Sequence, residues 1–493
     1  MLGQEWYNRT MTFKWITKSF RMTPVDPVQY EKSKATLRVA LQVCLLGSVG
    51  FFVLSPLYTF LFGSEALEAL SWKSTIVTMA GYLCWTVLIL LGLIHPAGQS
   101  LLKGRLGSGF PWLPLPILTL VIFLLWSLVC SIFSQWPATA FFGNWWRHEG
   151  WIQYLAYAGL FTAAISLTQK RKWPLIRSFW FITAAISCLL GLAERSGYRP
   201  FAWSLSGSAI SFFINQNHFA YFLCMTAVLS SALWIRPETT SESSKRSFGS
   251  LIRSLAAPAL SLLLFTTLVY AQTRGSSLAL LGGLTLLGFL LPGKRSLRSF
   301  LPLFTAISVF ILLYVVDGAL STYKIVLIGT DVSAIITNPG STQALEAGGS
   351  RWLLWVDGIK YFLQSPWIGN GPDTTGFFLQ RDGIQFSDRL HNEYLEYLVT
   401  LGIPGLLAWL AFLYASIHPV LPWSSWRFRR VPKAFEGMSI EAVAAACAAL
   451  TYLASAFFGN SLTYTAPFLF LLLGRCATDS LHPDPKHLQN LNP

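Results

Sequence analysis

Residues 114–135 read PLPILTLVIFLLWSLVCSIFSQ, without one charged side chain. About 20 apolar residues are enough to cross the hydrocarbon core of a bilayer as a helix. The run is continuously apolar and does not alternate, which predicts a helix and not a barrel strand. Comparable runs fall at 37–62, 74–94, 151–168, 174–193, 214–234, 255–272, 275–291, 301–316, 393–416, 439–458 and 461–476. At about 20 residues each, twelve spans take up roughly half the chain. The composition agrees: of 493 residues 53% are hydrophobic and 12% charged, against about 25% charged in a soluble protein. An ordinary soluble enzyme, a disordered chain and a disulfide-stapled secreted domain are excluded. The expectation is an all-α polytopic membrane protein with about 12 transmembrane helices and one large extracytoplasmic loop.

The net charge of +14 bears on orientation and not on nucleic acid, which is not expected as a partner. With the N-terminus in the cytoplasm, the inner segments collect Arg9, Lys14, Lys18 and Arg21, then Lys103 and Arg105, Lys170 to Lys172, Lys245 and Arg246, Lys294 and Arg295, and Arg427 to Lys433. Short outer segments hold few cations, among them Arg147 and Arg274, as the positive-inside rule requires. The expected organisation is a basic amphipathic N-terminus (1–36), nine helices (37–316), a large extracytoplasmic loop (317–392), three helices (393–476) and a cytoplasmic tail (477–493). A loop of that length is usually functional, and it carries its own helical stretch from Arg351 to about Leu363. The seven cysteines all lie in or beside apolar runs with no C-x-x-C pair, so neither a disulfide framework nor a zinc site is read. The G-x-x-x-x-G-K run from Gly288 to Lys294 has Arg295 where a P-loop needs Ser or Thr. No D-x-D pair is present.

Ionisable side chains in or beside apolar sequence are costly and mark function by default. Arg274 stands in nearly continuous apolar sequence (255–291), either snorkelling at a helix turn or binding an anion. Arg351 opens the helical part of the large loop, as an interfacial side chain or as a bidentate phosphate ligand. His391 lies where the large loop enters the tenth span; imidazole is the usual general base near neutral pH. Glu393 and Glu396 follow, as helix-end charges or as groups that orient the histidine. Arg147, His148 and Glu149 sit among interfacial tryptophans. Asn215 and Asn217 stand at the outer end of the sixth span, as caps or cavity residues.

Taken together, Thr273-Arg274-Gly275, Ser350-Arg351-Trp352, Ser365 to Pro372, His391 to Glu396 and Leu401 to Gly405 resemble, in order and spacing, the core of the O-antigen ligase/polymerase family. Trp146–Gly150 and Asn215–Ala220 look similar to its weaker motifs, so the resemblance covers roughly 140–416. That family includes protein O-oligosaccharyltransferases and is similar in architecture to GT-C-type membrane glycosyltransferases. The resemblance implies a bacterial cytoplasmic-membrane, cell-envelope enzyme of polysaccharide biosynthesis, with both termini cytoplasmic and its active site outside. It implies en bloc transfer of a glycan from undecaprenyl diphosphate to an acceptor hydroxyl on a glycolipid, glycan or protein, with no metal, nucleotide or other cofactor. By matching positions, His391 is the general base and Arg274 and Arg351 bind the diphosphate. Arg147, Arg389, Asn217, Asn392 and Glu393 are further cavity residues. A polymerase of lipid-linked repeats shares these motifs, and a lipid-linked glycan transporter is the reading from another class.

Overall fold

The computed structural model describes residues 27–58, 65–94, 113–204, 208–235, 248–291, 297–316, 329–421, 439–460 and 463–481. Among them every regular element is helical, with no strand. The long helices are α1 (Pro27–Leu54), α2 (Ala66–Ile94), α3 (Leu115–Ile132), α4 (Trp151–Gln169), α5 (Trp173–Arg195), α6 (Gln216–Ile235), α7 (Phe248–Tyr270), α8 (Arg274–Leu290), α9 (Leu301–Val316), α10 (Ala347–Gln364), α11 (Glu393–Ile417), α12 (Ile440–Ala456) and α13 (Ala466–Leu481). Apart from α10, each overlies one of the twelve apolar runs. Among the described residues six apolar stretches are long enough to cross a membrane: 31–57, 66–94, 115–132, 173–195, 216–235 and 393–420. Together they make this a multi-pass membrane protein.

Two boundaries differ from expectation. α1 begins at Pro27, ten residues ahead of the expected start, because nothing in the polar stretch 27–36 stops a helix once a proline has opened it. α7 begins at Phe248, seven residues ahead of the apolar run expected from 255. The amphipathic pattern of Phe13, Ile16 and Phe20, and most of the basic inner segments, lie outside the described residues.

The helices pack through small residues, as membrane helices do when apolar burial alone cannot favour one neighbour over lipid. A Cβ on Gly81 of α2 would lie 2.3 Å from the Ala156 carbonyl of α4. α6 is the central helix: 89% of its apolar window is buried inside the protein, between α7, α8 and the alanine-rich α12. Its N-terminal residues therefore face protein and not lipid. The starts of α4, α6, α8 and α11 and the ends of α7 and α12 meet at one end of the bundle, where the segment 329–392 also sits.

That segment is stitched into the bundle. α11 is broken at Gly402 (φ 67°, ψ −175°), two residues before Pro404. The break frees carbonyls that an apolar bundle has to satisfy internally. The Ser365–Gly371 turn supplies the partners: Asn370 N–H donates to Val399 O (3.1 Å), Gly371 N–H to Thr400 O (2.8 Å), and Ile403 N–H reaches Pro366 O (2.9 Å). Trp126 Nε1 of α3 donates to Leu401 O at 2.9 Å. The approach is backbone on backbone. A Cβ on Gly369 would fall 2.4 Å from Thr400 O, and one on Gly402 2.3 Å from Trp367 O. The two turn motifs read separately in the sequence are thus the two halves of one joint.

Candidate functional site

Arg274 is the first residue of α8. Arg351 begins the right-handed part of α10, after Gly348, Gly349 and Ser350 have taken left-handed backbone angles. The two arginines, 77 positions apart, line one cavity of about 510 Å³, a volume typical of small-molecule sites. Asn217 of α6 also lines it, with Gln216, Gln272, Thr273 and Asp331. Leu278, Val332, Ile335, Trp352, Trp355 and Phe458 form its apolar wall. Burial and the like charge of Arg274 both lower the pKa of the half-buried Arg351, while Tyr221 opposes them. The site is thus cationic, with an apolar flank.

His391 is not among the residues that line this cavity, but the Arg351 charge reaches it; it stands in left-handed backbone (φ 53°) that a non-glycine side chain adopts at a cost. Such strain persists where the surroundings impose it, and here they do. Asn392 caps α11, its side chain accepting from Leu395 N–H at 3.0 Å. Glu396 accepts from Leu390 N–H at 3.1 Å. The imidazole pKa is pushed down to about 4 by burial first, then by the charges of Arg351 and Arg147, with Asp388 opposing. His391 is therefore neutral at pH 7, with a free lone pair, as a general base must be.

Behind His391 lies a carboxylate cage. Arg389 contacts Asp373 (2.5 Å), Glu396 (3.0 Å) and Glu149 (3.5 Å). Against burial, which disfavours its charge, these three hold the guanidinium well above its ordinary pKa. Asp373 also accepts from Asn144 N–H at 2.6 Å, and Glu396 from Thr375 Oγ1 at 2.5 Å. Arg389 therefore clamps the 370s turn, the 144–149 turn and the start of α11 together. It positions His391 and does not line the cavity. Asn392, committed to the cap, does not line it either, because its acceptor oxygen already holds a backbone N–H.

Three carboxylates around one guanidinium leave an excess, and Glu149 carries the proton: burial raises its pKa to about 8, with Arg389 opposing and Asp373 adding to the rise. A raised carboxyl pKa means the folded chain keeps a proton that the unfolded chain has lost. Its effect on stability is absent below the ordinary value of 4.5 and grows as pH rises towards about 8. Glu149→Gln should therefore fold normally and lose less thermal stability than wild type between pH 5 and 8.5, measured by melting in detergent. An equal loss in wild type and variant would show that the carboxyl is already ionised in the folded chain.

The remaining expected residues divide. Arg147 is buried, donates to Asp388 at 2.5 Å and stacks over Trp146 at 4.4 Å. Its Nε and Nη1 have no hydrogen-bond partner among the described residues. Its charge reaches His391. Glu393 accepts from Tyr452 at 3.4 Å and leaves Oε1 unpartnered; neither it nor Glu396 bonds His391. His148 pairs with Ser71 at 3.0 Å. Asn215 caps α6, accepting from Asn217 N–H at 2.8 Å. Sequence reasoning passed over Asp331, Asp373 and Asp388. Each stands alone in a turn or a short amphipathic helix, with no spacing pattern to mark it. Lys73 was passed over as well; it is buried in α2, donating to Phe212 O beside the Tyr464 ring. Among the described residues no group of three or more His, Cys, Asp or Glu side chains is placed to hold a metal.

Residues 259–410 match the family model described as O-antigen ligase. The matched stretch contains Arg274, Asp331, Arg351, Arg389 and His391. No curated protein matches the chain.

Proposed function

We propose that the chain, whose residues 259–410 match the O-antigen ligase family model, transfers a glycan en bloc from undecaprenyl diphosphate to an acceptor hydroxyl. We place the reaction at the outer face of the bacterial cytoplasmic membrane, in a bundle of twelve spans with cytoplasmic termini. One observation carries the reading: two arginines from separate elements converge on an apolar-walled cavity, and the charge of one of them reaches a neutral, backbone-strained histidine. A polyprenyl diphosphate has the matching parts, an anionic head and an apolar tail.

In the proposed reaction the acceptor oxygen attacks the anomeric carbon. The bond from that carbon to the diphosphate oxygen breaks, and its electron pair leaves with the diphosphate. The acceptor proton passes to His391. Arg274 and Arg351 stabilise the charge that grows on the leaving group, the kind of preorganised electrostatics that usually dominates catalysis. Direct displacement inverts the anomeric centre. The donor carries the energy, so the step calls for neither nucleotide nor metal.

The test is purified protein with an undecaprenyl-diphosphate-linked oligosaccharide and a panel of glycolipid, glycan and peptide acceptors, with products resolved by mass. A single addition identifies a ligase and a ladder of repeats a polymerase. Arg274→Ala and Arg351→Ala should each cut transfer by about 10²–10³-fold with expression unchanged. Full activity in either variant removes that residue from the site. No transfer, together with donor flipping in liposomes, would replace the proposal with a transporter.

A further inference from the structure

The cavity already holds an anion of its own. Asp331, in the helical stretch 329–337, places Oδ2 3.8 Å from Arg274 Nη1. The same oxygen accepts from Gly348 N–H at 3.1 Å. The carbonyl of that same Gly348 accepts from Arg351 Nη1 at 3.2 Å. One residue, Gly348, therefore bridges the Asp331 carboxylate and the Arg351 guanidinium through its own N–H and carbonyl, and both arginines face oxygens of the chain itself. Gly348 opens the run of three left-handed residues that ends at Ser350, just before Arg351, so the backbone turns sharply where the bridge is made. Asp331 is about a quarter exposed, as is Arg274. The pair is open to an incoming ligand and is not locked in the core.

We propose that Asp331 sets the diphosphate affinity of the site: it occupies the Arg274 end of the anion site, so that the second phosphoryl group of a ligand has to displace it. The inference rests on the diphosphate reading of the cavity. A polyprenyl monophosphate can neutralise one guanidinium. To reach Arg274 as well it has to compete with a carboxylate held by an ion pair and a backbone N–H. A diphosphate spans both arginines, and its second phosphoryl group replaces the carboxylate at Arg274. Asp331 thereby weakens the diphosphate more than the monophosphate, which can stay at Arg351 and leave the ion pair intact; it narrows the difference of affinities between them. After glycan transfer it also favours release of the polyprenyl diphosphate, because the carboxylate can return to Arg274.

The test compares binding of undecaprenyl diphosphate and undecaprenyl monophosphate to full-length protein in nanodiscs, for wild type, Asp331→Asn and Asp331→Glu. Asp331→Asn keeps the size and removes the charge. It should tighten the diphosphate about tenfold and the monophosphate less, so that discrimination between them rises; one charge-assisted contact is of this order. Asp331→Glu, which keeps the charge, should keep discrimination near wild type and report on folding. Weaker binding of both lipids in Asp331→Asn, or unchanged discrimination, overturns the proposal. If wild type binds neither lipid, with Arg274→Ala indistinguishable from it, the diphosphate reading itself fails and the inference fails with it. Inorganic pyrophosphate and phosphate, run alongside, separate selection by the headgroup from selection by the tail.

Discussion

His391→Asn is expected to lower kcat by about 10²–10⁴-fold, the usual contribution of a positioned general base, with donor binding unchanged. Asparagine is the informative replacement because position 391 has a φ of 53°, and asparagine tolerates that region better than alanine. Loss of transfer then reports the imidazole and not a distorted turn. The pH dependence gives a second signature. In the free enzyme the imidazole sits at about 4, with Arg351 among the causes. A bound diphosphate cancels part of the Arg351 charge and so raises the histidine's pKa. The acid limb of kcat/KM, which reports the free enzyme, should therefore lie at lower pH than the acid limb of kcat, which reports the complex. An unchanged kcat in His391→Asn would remove the histidine from proton transfer.

Arg389→Met is the second large effect, and it acts on the fold. It leaves Asp373, Glu396 and Glu149 buried without their common cation, and breaking a buried pair by removing one partner typically costs about 3–5 kcal/mol. The expected outcome is a sharply lower melting temperature, with transfer lost below the melt as well because the turn bearing His391 is released. Arg389→Lys restores charge but not the fork that reaches three carboxylates, and should fall between the two. A variant that melts like wild type but does not transfer would instead make Arg389 a substrate ligand.

The helices were legible in the sequence because apolar length is a direct physical requirement of the bilayer. Their ends were less so: Pro27 extends α1 through residues that carry no span signal. Within the site, Arg274 and Arg351 were visible as cations in costly places, and His391 as a rare outer histidine. The meaning of Arg389 was not visible. Its three partners lie 240, 16 and 7 positions away, and only the fold brings Glu149 to it. Asp331 was invisible for a related reason, since a single aspartate in a loop carries no periodicity. Asn392 and Glu393 read as cavity residues from adjacency to His391, yet a helix start turns successive side chains in different directions. One became a cap and the other a partner of Tyr452.

The joint at Gly402 bears on how such proteins can be taken apart. Because the Ser365–Gly371 turn completes the backbone of a bundle helix, the large loop is not an interchangeable module bolted onto a scaffold. A chimera that exchanges the loop alone would sever Asn370 and Gly371 from carbonyls in 399–400 that their counterparts were shaped to meet. Grafts meant to change acceptor preference should cross over before residue 329 and after residue 405, so that both halves of the seam travel together.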